Sequence, residues 1–411
     1  VNYYLNNMNK IEPELVSPAG GWPSLITAIE NGADSVYFGI QGLNMRDRAS
    51  NFQVKELKNI MNFLHGKGRK GYLALNVIVM NDELKRMEKI LARAKESDVD
   101  AVILWDMAVL SLAKKMRLKI HLSTQASVSN IEAVRYYSGL GVRRIVLARE
   151  CSLSDIKRIK GLIKKEKINC QIETFIHGAM CISISGRCFL SRYSYGESAN
   201  RGKCLQPCRR EFIIKEKQGD SEYILGEDYI LSSKDLCTID FIDSLIDAKI
   251  DAFKIEGRMR SPEYIKVVTS VYRRAIGAFY ENKLTESLKK RLKKELKSVY
   301  NRGFSDGFYF KRPDGDISRG LENLYKKIYL GEVKKYYPKI SVAEVLIQTG
   351  MLKKGDKLMF IGKNTPAQFQ TASEIQQEHK YVTYVKKGEL AGVKVSFKVK
   401  VGDKVYRWSR K

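Results

Sequence analysis

The sequence predicts an α/β protein: a (β/α)₈ TIM-like barrel with a cysteine-rich insertion, followed by a small C-terminal all-β barrel domain. Eight short apolar runs alternate with eight segments of helical periodicity, which is the pattern of βα units around a parallel sheet. Doubly wound sheets rarely need eight evenly spaced units, so this count favours a closed barrel. After about Gly331 the sequence changes to short alternating strands with Gly-Asp turns, which predicts a second domain.

Each predicted barrel strand is a short run rich in aliphatic or aromatic residues. In chain order the strands are Glu14–Ser17, Ser35–Phe38, Gly71–Asn76, Ala101–Trp105, Lys119–Ser123, Arg144–Ala148, Gln171–Ile176 and Ala252–Glu256. Each helix is predicted where apolar residues recur every three or four positions. In chain order the helices are Pro23–Asn31, Val54–Gly66, Glu83–Ser97, Ala108–Met116, Ile131–Ser138, Ser154–Lys165, Thr238–Ala248 and Pro262–Glu281. Residues 1–330 thus form the predicted barrel domain, and residues 178–237 form an insertion after its seventh strand.

Residues 331–411 form the predicted C-terminal domain, with the strand-like stretches GDKLMFIG, LAGVKVSFKV and VGDKVYRWSRK. The domain is basic, and aromatic residues lie among its Lys and Arg residues: Tyr336, Tyr337, Tyr381, Tyr384, Tyr406 and Trp408. Such aromatics suit stacking on nucleic-acid bases, and they equally suit the core of a small barrel. The sequence leaves these two interpretations open.

The charge of the chain is strongly positive, with 73 Lys and Arg against 46 Asp and Glu and a formal net charge of +27. A surplus of this size favours a polyanionic partner such as RNA, because Lys and Arg that neutralise phosphates release counterions. The alternative is that much of the lysine solvates helix faces. No apolar run approaches the roughly 20 residues of a membrane span, and the N-terminus lacks a signal-peptide pattern. We therefore expect cytoplasmic residence, with no membrane contact.

Five of the seven cysteines fall in one 57-residue window: Cys181, Cys188, Cys204, Cys208 and Cys237. They lie among Gly, Ser, Asn and Arg residues, whereas a structural buried cysteine usually has aliphatic neighbours. A reducing cytosol favours metal or redox roles over disulfides. Zinc would need pairs at short spacing, and only Cys204 and Cys208 provide one. An iron–sulfur cluster accepts four less regularly spaced thiolates, and a single activated catalytic thiol is the third alternative.

Conventional hydrolase motifs are missing from the sequence. It has no H-E-x-x-H, no G-x-S-x-G and no phosphate-binding loop, and it holds only four histidines. The one G-x-G-x-x-G, Gly66–Gly71, lies between a predicted helix and a strand, the reverse of the dinucleotide-binding order. A peptidase would therefore need an unusual nucleophile or a metal-bound water.

Several separate blocks of the chain match motifs of one known family. The blocks are E-x-F-x-H-G-A-M-C-x₆-C (Glu173–Cys188), N-R-G-x-C-x-Q-P-C-R (Asn200–Arg209), S-x-K-D-L-C (Ser232–Cys237), F-K-I-E-G-R-M-R-S-P-E-Y (Phe253–Tyr264), E-L-V-S-P-A-G (Glu14–Gly20) and A-D-S-V-Y-F-G (Ala33–Gly39). Together they resemble the peptidase U32 family of collagenase-like proteases along nearly the whole chain. The C-terminal stretches Val342–Val345 and Phe397–Tyr406 are similar to the elongation-factor-like domain of its tRNA hydroxylation branch.

The resemblance implies two different chemistries. Some members of the family are described as collagen-degrading proteases, and others are iron–sulfur proteins needed for oxygen-independent hydroxylation. The branch that the C-terminal domain resembles forms 5-hydroxyuridine at the tRNA wobble position with prephenate as co-substrate. Carried onto this sequence, the ligands of a [4Fe–4S] cluster fall on Cys181, Cys188, Cys204 and Cys237, with Cys208 as the alternate to Cys204.

The predicted substrate pocket is the mouth of the barrel, under the insertion, because barrel active sites lie at the carboxyl ends of the strands. Glu173 and His177 are the candidates for proton transfer by position, although Glu173 equally suits a structural ion pair. The candidates for substrate binding include three arginines for a dicarboxylate such as prephenate. They are Asn76, Gln125, Arg187, Arg192, Glu256 and Arg258.

The favoured function is hydroxylation of a wobble uridine, with the anticodon arm of a tRNA and an electron-donor protein as partners. Single-stranded loops are where RNA is best read, and a loop base costs little to unstack. The first alternative is a U32-type peptidase. The second is a non-catalytic RNA-binding protein whose iron–sulfur cluster only stabilises the insertion.

Overall fold

The barrel closes through eight parallel strands. The computed structural model describes residues 12–211, 213–215, 217–219, 222–224, 231–311, 317–318 and 320–411; most of the N-terminal segment considered for a signal peptide lies outside them. The barrel strands are β1 (Glu14–Ala19), β2 (Ser35–Gly39), β3 (Lys70–Ala74), β4 (Ala101–Leu104), β5 (Ile120–Leu122), β6 (Arg144–Val146), β7 (Gln171–Ala179) and β11 (Ala252–Ile255). β11 pairs in parallel with both β7 and β1, which closes the ring and confirms the predicted fold class.

Most of the helices surround the barrel and bury one apolar stripe, whereas the helix Leu190–Tyr195 lies in the insertion and buries only Ser191. The helices are α1 (Trp22–Glu30), α2 (Leu57–His65), α3 (Leu84–Glu96), α4 (Met107–Lys115), α5 (Ile131–Gly139), α6 (Leu153–Lys165), α7 (Leu190–Tyr195), α8 (Ile242–Asp247), α9 (Pro262–Tyr280) and α10 (Glu286–Leu296). In α3, for example, Met87, Ile90, Leu91 and Ala94 are buried, which is the spacing of a core-facing helix. No helix in the described ranges is both long and apolar enough to cross a membrane.

The insertion extends the sheet beyond the barrel. β7 continues three residues past the predicted end, because β10 (Asp235–Cys237) pairs with it antiparallel and places Cys237 opposite His177. β12 (Phe304–Ser305) then pairs with β10. The insertion also contains α7 and a hairpin of β8 (Ile213–Lys215) and β9 (Glu222–Ile224). The chain from Met180 to Ser233 is thereby anchored at both ends beside the barrel mouth.

The C-terminal domain is an antiparallel half-barrel. Its strands are β13 (Tyr325–Tyr337), β14 (Val342–Ile347), β15 (Met351–Lys353), β16 (Lys357–Ile361), β17 (Gln368–Thr371), β18 (Ile375–Gln377), β19 (Lys380–Tyr381), β20 (Tyr384–Lys386), β21 (Leu390–Lys394) and β22 (Lys404–Arg410). Eight of them form one sheet, and β15 pairs with β20. β13 begins before residue 331, and the domain boundary itself stays a prediction.

The aromatic residues of this domain divide into two groups. Trp408 is buried, packs against Phe369 at 5.3 Å between ring centroids, and joins the core of the barrel domain. Lys327 forms an ion pair with Glu263 at 2.8 Å across the same contact. Tyr381 and Tyr384 are exposed. Trp408 therefore has a packing role, and Tyr381 and Tyr384 remain free to stack on a base.

Candidate active site

A cavity of about 150 Å³ opens at the carboxyl ends of the barrel strands. Strand ends form its floor, and the insertion forms its wall. Of the described side chains that line it, six are cationic and one is a carboxylate: Arg46, Arg149, Arg209, Lys254, Arg258, Arg302 and Glu256. The mouth therefore favours an anionic ligand.

A chain of buried ion pairs runs through the barrel interior and ends at the cavity floor. Glu14 and Arg144 are joined at 2.9 Å, Arg144 and Glu173 at 3.3 Å, and Glu173 and Lys254 at 2.6 Å. Burial alone would raise the pKa of Glu14, but Arg144 outweighs it and holds that pKa well below its ordinary value. Glu173 does not line the cavity, whereas Lys254 does. The geometry thus gives Glu173 the place of an ion-pair partner that fixes Lys254, and its predicted role in proton transfer is not supported by position.

A second ionic group encircles Glu256 at the mouth. Arg46 donates to Glu256 Oε1 from both Nε (3.2 Å) and Nη2 (3.0 Å). Burial alone would raise the pKa of Glu256, but Arg46, Arg149 and Arg258 lower it to about 2. Burial also lowers the pKa of Arg258 to about 10, which still leaves it protonated at neutral pH. One carboxylate therefore faces three guanidinium groups. The net positive charge that remains can bind an incoming anion.

The amides Asn76 and Gln125 meet at the cavity, as their predicted positions at strand ends require. Asn76 Nδ2 donates to Gln125 Oε1 at 2.6 Å, and Gln125 Nε2 donates to the Asn76 carbonyl oxygen at 3.1 Å. Ser123 Oγ also donates to Gln125 Oε1, at 2.7 Å. Both amides line the cavity, so this pair presents fixed polar atoms to whatever it holds.

Four cysteines of the insertion line the same cavity: Cys181, Cys188, Cys204 and Cys208. Burial raises the pKa of the Cys204 and Cys208 thiols, and the charges of Cys181 and Cys188 add to both shifts. In the described part of the chain, no three Cys, His, Asp or Glu side chains are close enough to hold a metal ion as they stand. The thiols thus share one pocket and would have to close in and lose their protons to bind a metal.

Arginines fix the insertion to the barrel at several points. Arg201 of the insertion donates from Nη1 to Glu83 Oε2 at 2.7 Å, and Arg149 Nη1 donates to the Ala179 carbonyl oxygen at 2.6 Å. Gly202 has a φ of 83°, and a Cβ there would lie 2.1 Å from the Asn44 carbonyl oxygen. The insertion therefore packs backbone to backbone on the loop after β2, which holds the thiols over the cavity.

Cys237 lies apart from the other four thiols. It is buried on β10 and does not line the cavity, and Tyr272 Oη lies 3.9 Å from its sulfur. Burial raises the pKa of this thiol to about 12. The pocket therefore brings together Cys181, Cys188, Cys204 and Cys208, whereas Cys237 of the predicted ligand set lies outside it. The sequence spacing allows either Cys208 or Cys237 as the fourth thiol. Only the pairing of β10 with β7, which holds Cys237 away from the cavity, distinguishes the two residues.

His177 is also buried away from the cavity. Tyr272 Oη lies 3.3 Å from its Nδ1, and Tyr264 and Phe304 pack beside the ring. Burial lowers the pKa of His177 to about 3, with a further contribution from Arg260. A neutral imidazole enclosed by aromatic rings has no contact with the cavity, so the predicted role in proton transfer is not supported by its position.

We expect His177 to make the folded protein sensitive to acid. The pKa of His177 in the folded protein lies below the ordinary value of about 6.5. Its contribution to the free energy of unfolding is therefore complete above pH 6.5 and is lost as the pH falls towards 3. His177→Phe should reduce the loss of unfolding free energy between pH 7 and pH 4.5 by roughly 2–3 kcal/mol. Urea unfolding at both pH values measures this, with His379→Phe at an exposed site as the control. Parallel pH dependence in wild type and His177→Phe would contradict it.

Arg187 and Arg192 do not line the cavity. Both are exposed: Arg187 Nη2 donates to Ser127 Oγ at 3.3 Å, and Arg192 Nη1 donates to the Gly196 carbonyl oxygen. Of the three arginines predicted to bind a dicarboxylate, only Arg258 faces the cavity. The places of Arg187 and Arg192 could not be derived from the sequence, because position along a loop does not determine which side of the loop a residue faces.

The sequence model of peptidase family U32 matches residues 20–319. The chain belongs to peptidase family U32. Its U32 relatives carry names of two kinds. An uncharacterized protease of Methanocaldococcus jannaschii is 41% identical over 400 residues, covering 96% of this chain and 97% of that protein. A collagenase of Porphyromonas gingivalis is 38% identical and covers 98% of this chain and 100% of that protein.

The second kind of name concerns RNA. The tRNA hydroxylation protein P1 of Bacillus subtilis is 34% identical over 359 residues, which cover 85% of this chain and 84% of that protein. Membership of the family therefore does not distinguish peptide hydrolysis from RNA hydroxylation. The residues of the site must distinguish them. Two of the six cations that line the cavity, Arg46 and Arg149, were missed from the sequence. Neither lies in a quoted motif, although Arg149 follows the end of a predicted strand.

Proposed function

We propose that the protein is an RNA hydroxylase that converts a wobble uridine of tRNA to 5-hydroxyuridine. The observation that carries this proposal is a cationic cavity of about 150 Å³ whose wall holds four thiols and whose floor holds a pair of amides. The likeness to a tRNA hydroxylation protein over most of both chains supports the same chemistry. The net charge of +27 supports a polyanionic substrate.

The polarity of the cavity suits a base. Enzymes that act on a base place it in a pocket and read its edge by hydrogen bonds. Asn76 and Gln125 offer amide groups for that edge, and Lys254 offers a cation at the floor. A base from an RNA loop costs less to extrude than one from a duplex, so the anticodon loop is the favoured source.

The four pocket thiols, Cys181, Cys188, Cys204 and Cys208, would hold a [4Fe–4S] cluster. The donor set fits, because such clusters are held by four cysteine thiolates from loops. A bound cluster would supply one-electron redox chemistry, and an electron-donor protein would then be a partner. Arg46 and Arg209 line the same cavity as these thiols, so cationic groups lie beside the place where four thiolates would carry negative charge.

Prephenate is the proposed co-substrate. It is a dicarboxylate, and Arg46, Arg149 and Arg258 together exceed the charge of Glu256, the one carboxylate among the described residues that line the cavity. Arginine binds carboxylates through two parallel hydrogen bonds. We assign the carboxylates of the co-substrate to these arginines rather than to Arg187 and Arg192.

Peptide hydrolysis is the second candidate, and the collagenase name of one relative favours it. A peptidase needs an activated nucleophile or an activated water. Among the described residues that line the cavity, none is a histidine, and Glu256 is already bound by Arg46. The contacts of the cavity thus fit an anion and a base better than they fit a scissile peptide.

We expect 5-hydroxyuridine to appear in the tRNA of a bacterial host that lacks this modification when the protein is expressed there. Nucleoside mass spectrometry of purified tRNA measures it, and the Cys188→Ala variant should abolish it because one cluster ligand is lost. A variant at Cys151, a buried cysteine remote from the cavity, serves as the control. Hydroxylated cytidine in rRNA instead would change the substrate but keep the reaction class. Unmodified RNA together with cysteine-dependent gelatin cleavage would refute the proposal.

A further inference from the structure

The helix that covers the cavity has two different faces. Leu190 and Ser191 of α7 line the cavity, while Tyr193 and the preceding Phe189 face solvent with exposed fractions of 85% and 63%. The rings of Phe189 and Tyr193 lie 6.1 Å apart. Large aromatic side chains stabilise a protein when they are buried, so an exposed neighbouring pair beside a cavity indicates a surface with a partner.

Cationic groups lie among these rings. The Arg210 guanidinium lies 4.5 Å from the centroid of the Tyr195 ring, and the exposed Arg192 of α7 donates to the Gly196 carbonyl oxygen at the end of the helix. Glu197, the acidic residue that follows α7, is paired with Lys203 at 3.8 Å. The surface thus alternates aromatic and positively charged side chains, which is the pattern of single-stranded nucleic-acid binding sites.

We propose that Phe189, Tyr193 and Tyr195, with Arg192 and Arg210, form a stacking platform for the unpaired nucleotides that flank the base in the cavity. This inference rests on the proposed function, and it identifies the part of the substrate that lies outside the cavity. A base that leaves its stack exposes the faces of its two neighbours, and aromatic rings can cover those faces. The guanidinium groups would contact the phosphates between them.

The chemistry of the platform favours RNA over a protein partner. A protein interface of this size would need a continuous apolar centre depleted in charge. On the platform, the Arg210 guanidinium lies against the Tyr195 ring, and Arg192 is exposed on the same helix as Tyr193. Continuity with the cavity adds to this argument, because α7 itself contributes residues to both surfaces.

The test is the affinity of the full chain for two RNA probes, measured by fluorescence anisotropy. One probe is a stem-loop with an unpaired uridine-containing loop, and the other is a fully paired duplex of equal length. We expect the double variant Phe189→Ala and Tyr193→Ala to raise the Kd for the stem-loop about tenfold or more. The reason is that stacking of one base on an aromatic side chain contributes at least that much to affinity. The duplex Kd should stay unchanged, and Phe189→Trp with Tyr193→Trp should keep the wild-type affinity.

The matched control is Tyr136→Ala on the outer helix α5, where the tyrosine is 62% exposed and packs beside Tyr137. An unchanged stem-loop Kd in the double variant would overturn the platform, and if hydroxylation were lost at the same time the surface would belong to a protein partner. An equal loss of duplex affinity would also overturn it. A platform-dependent Kd in a protein that hydroxylates no RNA would refute the proposed function and leave the platform standing.

Discussion

Replacing Cys208 by Ala will remove most of the iron from protein purified without oxygen, and replacing Cys237 by Ala will not. Cys208 shares the cavity with three other thiols, whereas Cys237 is enclosed on β10 against Tyr272. Substitution of a residue that merely supports a metal ligand costs about 10–100-fold in affinity, so loss of a direct ligand should cost at least about 100-fold. Iron and acid-labile sulfide assays measure the content, with about four of each expected in wild type.

The control for this pair is the stability of each variant, since Cys237→Ala removes a buried sulfur and should cost about 1–2 kcal/mol. Urea unfolding of the iron-free proteins measures that cost independently of the metal. If Cys237→Ala loses its iron and Cys208→Ala keeps it, the ligands are those predicted from the sequence: Cys181, Cys188, Cys204 and Cys237. That result would also mean that β10 rearranges when the metal binds.

Glu173→Gln will destabilise the barrel by about 3–5 kcal/mol, because it leaves the charge of Lys254 buried without its carboxylate partner and leaves Arg144 with Glu14 alone. The Glu173→Leu and Lys254→Met double variant should regain most of this loss, since replacing both members of a buried pair is often neutral. Thermal unfolding measures both, with Asp98→Asn in the exposed pair to Lys58 as a control that leaves the midpoint unchanged.

A catalytic Glu173 would give a different result. If Glu173→Gln unfolds like wild type and yet hydroxylates no RNA, the role in proton transfer predicted from the sequence is correct. If the double variant is as unstable as Glu173→Gln, the ion chain does not hold the barrel interior together. The two outcomes separate a residue that acts on the substrate from one that positions Lys254.

The barrel could be predicted from the sequence because buried parallel strands must be apolar runs and their helices must show one apolar stripe. The strand ends were less accurate. The third strand was predicted to reach Asn76, but β3 ends at Ala74 and the chain turns so that Asn76 faces the cavity. β7 is longer than predicted because pairing with the distant β10 extends it, which no local pattern reveals.

Site residues that directly follow a barrel strand could be predicted from the sequence. Site residues on long loops could not. Asn76, Gln125, Glu256 and Arg258 follow strands and converge at the mouth. Arg46 comes from the loop after β2, and its place in the site follows from its contact with Glu256, which lies 210 residues away in the sequence. The choice between Cys208 and Cys237 likewise depends on pairing between strands that are far apart in the sequence. Physical chemistry fixes which side chains can bind a metal, and tertiary contacts decide which of them meet.

The most direct measurement is a comparison of both candidate reactions on one anaerobic preparation. Iron-loaded protein is incubated with an electron donor, prephenate and a tRNA transcript, and in parallel with gelatin, and both products are quantified by mass spectrometry. The account predicts 5-hydroxyuridine that requires prephenate and Cys208, with no new peptide ends. Peptide cleavage with unmodified tRNA would contradict it.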